Sequence, residues 1–301
     1  MLLIKKETIG EKETHLFVWF LLATLAGLGL RLWRLGSMHF TLAEAQIAQS
    51  SWQMAVGKAT VLPGNMSYAG LSALLFTLFE PSFFFARLIP ALFGTSLILV
   101  PWFWRDRIGK TAALVIAFGL AIDPTLLSFS RQIVTPIFVM AGLAWVVTSF
   151  KYKRPVLAGA LLAVAFLGGY SFWVLVLIGV VTFLVLGKKE TQVFDFTTFR
   201  TNNFLLPFVT SLIISLLMIS SAFLLHTEGL GGVAAGLVEF VHLFAKGYEL
   251  PVYQPIMIAI AYSIFPLLFS FWSLVDDLRA KQPLKNMPFL IGWGMSLLLC
   301  L

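Results

Sequence analysis

Long apolar runs, continuous rather than alternating, recur along this chain from His15 to its last residue, and they leave it few folds. A helix needs about 20 residues to cross roughly 30 Å of hydrocarbon, and lipid offers backbone amides no partner outside a helix or a closed barrel. Barrel strands alternate polar and apolar residues, and these runs do not. The expected fold is all-α, a polytopic transmembrane helical bundle. Candidate spans are His15 to Leu32, Phe83 to Trp104, Thr111 to Leu127, Ile137 to Phe150, Val156 to Gly169, Phe172 to Leu186, Phe204 to Leu225, Ile256 to Leu274, and Pro288 to the end. That makes nine, in a single membrane domain over 1–301. The composition agrees, at 59% hydrophobic residues, 12% charged and a mean hydropathy of +0.92, outside the ordinary soluble range.

Between the first two spans lies a loop of about residues 35–82. It carries an amphipathic stretch, Ala43 to Val56, and a short apolar run, Leu71 to Phe79, too short to cross and expected in the interface. Lys and Arg orient the bundle, because cytoplasmic loops are enriched in them. With the N-terminus inside, fifteen of these residues fall on the inner side and six, Arg31, Arg34, Lys58, Arg87, Arg131 and Lys246, on the outer side or at outer helix ends. Basic clusters flanking 155–186 demand an even number of crossings there, with a turn near Gly168 and Gly169. The net charge of +7 is thus a topology signal and not a nucleic-acid face. The first run lacks a small-residue cleavage site after it and is expected to be retained. The single cysteine, Cys300, permits no internal disulfide. The last run stops without a polar flank, so truncation is expected.

Three stretches resemble one family. LRLWRLGSMHFTLAEAQIA is similar to the first outer loop of GT-C class membrane glycosyltransferases, especially glycosyltransferase family 39, which includes protein O-mannosyltransferases and lipid A aminoarabinose transferases. FFFARLIPALFGTSLILVPWFWRDRIGKTAALVIAFGLAIDP resembles the family's second and third spans, and LLSFSRQIVTPIF its second outer loop, so the likeness covers roughly residues 15 to 190. The resemblance implies a GT-C-like bundle in the plasma (inner) membrane that transfers a sugar from a polyprenyl-phosphate donor to an unknown acceptor on the non-cytoplasmic face. It also implies a divalent cation in some members. Three positions depart from the family pattern. Its Asp-Glu pair reads Ala43-Glu44, the Asp expected after the Ser-Arg pair is Pro136, and a basic or polar residue before the short apolar run falls near Gly64. These losses motivate an alternative: a catalytically inactive member that binds a lipid-linked sugar or supports another membrane protein.

Sugar transfer from a phosphate carrier needs an acceptor deprotonated or oriented, and negative charge stabilised on the departing phosphate. Glu44 is the candidate catalytic carboxylate, with the wet face of an interfacial helix as the bland reading. Arg131 and Arg87 are candidates for the donor phosphate, since a guanidinium makes forked contacts to it; either could instead snorkel to headgroups. Lys58 and Tyr68 are expected at the entrance, His39 next to Glu44, and Asp123 as a substitute acid. No standard metal-ligand spacing appears among His226, Glu228, His242 and Glu249. A transporter predicts charge at mid-membrane, and the spans have little of it.

Overall fold

The computed structural model describes residues 2–58, 66–186, 202–224 and 232–245, and every regular element among them is helical. Eleven helices follow in order: α1 (Leu2–Leu32), α2 (Leu42–Ala55), α3 (Met66–Leu78), α4 (Phe83–Ile108), α5 (Lys110–Ile122), α6 (Pro124–Arg131), α7 (Pro136–Lys151), α8 (Pro155–Phe166), α9 (Tyr170–Leu186), α10 (Asn202–Ser220) and α11 (Gly232–Ala245). Two are long and apolar enough to cross a membrane, Thr14–Leu32 within α1 and α4. The bent pairs α5 with α6 and α8 with α9 raise the candidate spans to four. The expected spans Ile256 to Leu274 and Pro288 to the end lie outside the described residues.

Local chemistry explains the breaks. The expected span from Thr111 to Leu127 is interrupted by a 51° bend. Pro124 disfavours helical backbone at the residue before it, and Asp123 is extended there (φ −57°, ψ 121°). The Asp123 carboxylate then restarts the chain as α6 by accepting from the Leu126 N–H at 2.7 Å. The expected turn near Gly168 and Gly169 is a 111° bend, and Gly169 has φ 71°, a left-handed conformation that suits glycine.

α1, α4, α5 and α7 run back and forth, so their ends collect at two poles. The pole carrying the α1–α2 loop, the start of α4, the end of α5 and α6 is called here the α2 pole. The main core joins α2, α3, α4, α7, α8 and α10 through Met54, Met66, Tyr68, Leu97, Phe138 and Ile219. Within the short apolar run expected in the interface, Ser72, Ala73 and Phe76 are buried while Leu74, Leu78 and Phe79 are exposed; the turn of α3 just before it, with Tyr68 and Gly70, is buried against protein. Close packing is the reason: a Cβ on Gly70 would lie 1.9 Å from the Ile219 carbonyl oxygen of α10.

Candidate functional site

Thr41 stands in extended backbone (φ −66°, ψ 163°) at the N-cap of α2. Its hydroxyl accepts from the Glu44 N–H at 3.3 Å, and Glu44 Oε2 accepts from the Thr41 N–H at 3.1 Å. This capping box closes two otherwise open donors and aims the Glu44 side chain back over the helix start. There it meets Arg87, one turn into α4. Arg87 Nε donates to Oε1 at 3.1 Å and Nη2 to Oε2 at 2.9 Å, a forked pair in which both residues are 4% exposed. A third strand of chain joins when the Ile133 N–H, from the α6–α7 connection, donates to Oε1 at 3.2 Å.

The pair is saturated on both sides. A guanidinium has five N–H donors. Those of Arg87 beyond the fork go to the carbonyls of Leu35 (3.3 Å), Met38 (2.8 Å) and His39 (3.2 Å), and the Phe40 ring lies 5.0 Å from its central carbon. Arg87 thus folds the α1–α2 loop around itself. Burial alone would push the Glu44 carboxyl up, but hydrogen bonds from Arg87, Thr41 and Ile133, with the guanidinium charge, outweigh it and hold the group below its ordinary 4.5. A carboxylate so held is a poor proton acceptor, and the fully engaged Arg87 has no donor to spare for a phosphate. Arg87 does not snorkel; it is a positioning residue.

The other expected site residues scatter around this pair. Arg131 is half-buried and donates through Nη2 to the Trp33 carbonyl at 2.8 Å, beside exposed Arg34, whose φ is 52°. It does not bond Glu44, although Ile133 two residues later does. His39 contributes its carbonyl to Arg87 while its exposed ring meets Phe83 edge-on at 6.0 Å. Tyr68 is not at an entrance: it is 1% exposed and donates to the Ala86 carbonyl at 3.0 Å. Lys58 is exposed beyond the end of α2. Asp123 is taken up as the cap of α6. His242 lies in α11, whereas Gly64, His226, Glu228 and Glu249 are outside the described residues.

Ala43 is exposed, whereas Glu44 next to it is buried. The pole therefore presents position 43 outward and keeps 44 for its framework. Among the described residues no three His, Cys, Asp or Glu side chains gather as metal ligands. With both Glu44 oxygens committed, this set does not fit a divalent cation, and no chemistry is routed through one. Beside α2 a mostly apolar cleft of about 650 Å³ opens between Phe40, Trp52, Phe76 and Phe83, with Gln49 and Ser82 on its wall.

A second buried cation occupies the same pole, and nothing in the span pattern singled it out. Arg31 is 0% exposed. Its Nε donates to Ser130 Oγ at 3.1 Å, Nη1 to the carbonyls of Gly27 (3.0 Å) and Ala121 (3.3 Å), and Nη2 to that of Leu120 (3.1 Å). Leu120 and Ala121 are in the last turn of α5, where open carbonyls favour a cation. A Cβ on Gly94 would sit 1.9 Å from Ser130 Oγ, so α4 must carry glycine there for α6 to approach. The readable signal for the first cluster was Thr41-x-x-Glu44, the spacing of a capping box. For Arg31 the sequence holds no comparable signal.

No protein-family model, curated protein or solved structure matches this chain.

Proposed function

We propose that this chain is a membrane protein of GT-C-like architecture that holds a polyprenyl-phosphate-linked sugar at the α2 pole, and that binding outranks transfer. Support comes from the stretches resembling family 39 and from the chemistry left available around the buried pair. The cleft beside α2 offers aromatic and apolar walls to an isoprenoid. Arg131, with one N–H on Trp33 and Arg34 adjacent to that residue, offers guanidinium donors to a phosphate. Glu44 and Arg87 serve by fixing the loop, α2, α4 and the α6–α7 connection to one another.

The observation that carries the order of the two activities is the contrast between exposed Ala43 and buried, acceptor-saturated Glu44. A base for the acceptor belongs at the outward position, and alanine cannot supply one. The second reading, an active transferase, draws on the same resemblance and on the preserved framework.

One experiment separates them. Purified full-length protein is given radiolabelled polyprenyl-phosphate hexoses and pentoses, with retention and turnover measured together for the native chain, Ala43→Asp and Arg131→Gln. Retention without turnover, weakened by Arg131→Gln, is the expected result. Turnover by the native chain establishes the transferase reading, and failure to retain any donor removes both. Turnover gained only by Ala43→Asp identifies position 43 as the missing base.

A further inference from the structure

The opposite pole is built from cations and indoles. α4 and α7 end side by side there. Trp104 Nε1 donates to Thr148 Oγ1 at 3.0 Å, Tyr152 donates to the Phe103 carbonyl at 3.0 Å, and Lys151 Nζ donates to the same carbonyl. The α4–α5 and α7–α8 turns carry Arg105, Arg107, Lys110, Lys151, Lys153 and Arg154 against one acid, Asp106. Among the described residues, Arg105, Arg107 and Lys151 make no ion pair.

Two of these cations share one ring. The charged groups of Arg107 and Lys151 lie 5.6 Å and 5.2 Å from the Trp104 ring centre. Trp104 also helps to line an apolar groove of about 500 Å³ between α4, α5 and α7, with Leu97, Ile108, Ile116 and Val147 among its walls. From Leu97 to Trp104 is seven helical residues, about 10 Å along the span. A charged rim and a hydrocarbon slot therefore meet at a single side chain.

We propose that this pole binds an anionic phospholipid with two acyl chains, its phosphate held between Arg107 and Lys151 and one chain laid in the groove. Charge complementarity selects the headgroup, since basic pockets between membrane helices attract anionic lipid. The groove selects a hydrocarbon tail over a free anion. Trp104 sits where the two regions join, the depth favoured by indoles. None of these residues belongs to the site at the α2 pole, so the inference stands apart from the sugar-binding reading.

Native mass spectrometry of the full chain, released from mixed micelles of phosphatidylglycerol and phosphatidylcholine, tests it. The expected spectrum shows preferential retention of phosphatidylglycerol. Exposed Arg107 leaves the fold intact when changed, and Arg107→Gln should cut that preference about five-fold, the effect of one basic group near an anionic lipid. Val147→Phe fills the groove and should cut retention as well; Ile116→Phe, on the facing helix, replaces it if Val147→Phe does not fold. Equal retention of the two lipids overturns the proposal, as does an unchanged preference in Arg107→Gln. Full competition by inorganic phosphate reduces the site to an anion site and overturns it too. Tighter retention of a single-chain polyprenyl phosphate replaces the proposed occupant.

Discussion

Arg31 and Arg87 lie at the same pole of one bundle and are almost equally buried, at 0% and 4% exposed, yet their charges are met in different ways. Arg87 faces a carboxylate in a fork, with three loop carbonyls taking its remaining donors. Arg31 has no bonded carboxylate; it spreads its charge over the Gly27 carbonyl of α1, two carbonyls in the last turn of α5 and Ser130, with Asp123 acting only through its field. The first arrangement ties the α1–α2 loop and α2 to the bundle through a group that titrates. The second clamps spans through backbone dipoles that do not. Only the first can be loosened by acid, and only the second depends on glycines that let helices close on a guanidinium.

The largest effect is expected from Glu44→Ala, which leaves Arg87 buried without its counter-charge. Breaking a buried pair from one side costs about 3–5 kcal/mol, and chemical unfolding in detergent should show a loss of that size. Adding Arg87→Met should restore part of it, because the unpaired charge is then gone. A double variant less stable than Glu44→Ala alone would mean that the carbonyl contacts of Arg87 outweigh its pairing.

Gly94→Ala should come next, at about 1–3 kcal/mol, since the new methyl meets Ser130 Oγ at 1.9 Å and Arg31 Nε at 3.1 Å. An unchanged unfolding curve would show that α6 can withdraw from α4 without loss, against a tight Arg31 clamp.

Acid should discriminate between the two cations. Because Glu44 is held below its ordinary 4.5, its contribution is complete above that value and is lost as pH falls through the depressed folded value. Melting temperature followed downward from pH 5 should fall less steeply in Arg87→Met, where the largest cause of the depression is absent, than in the native chain. Parallel acid limbs would remove the ion pair from the account.

The smallest change is expected for Asp123→Asn, within about 0.5 kcal/mol, because asparagine caps a helix as well as aspartate does. A larger loss would raise Asp123 from a cap to a true counter-ion of Arg31 and erase much of the contrast.

Much of the helical framework was legible in the sequence. The runs from His15 to Leu32 and Phe83 to Trp104 became the long helices, and Gly168-Gly169 became a sharp turn, because hydropathy and backbone preference act locally. The Asp123-Pro124 break is equally local, but the apolar residues on both sides of it hide it from hydropathy. The site was legible only as a residue set. Glu44 is legible as an acid between apolar runs and its spacing from Thr41 as that of a capping box, but no local pattern says which outer cation, Arg87 or Arg131, the carboxylate meets.

Apolar runs of membrane length by themselves determined that this chain is helical, since a backbone in lipid must satisfy its own hydrogen bonds, and the capping residues set where α2 and α6 begin. Which cation Glu44 meets was decided only in three dimensions. Arg87 is 43 residues away and Arg131 is 87, and no local rule ranks them. The packing of α2 against α4 puts one guanidinium within 3.1 Å of the carboxylate and leaves the other on the Trp33 carbonyl.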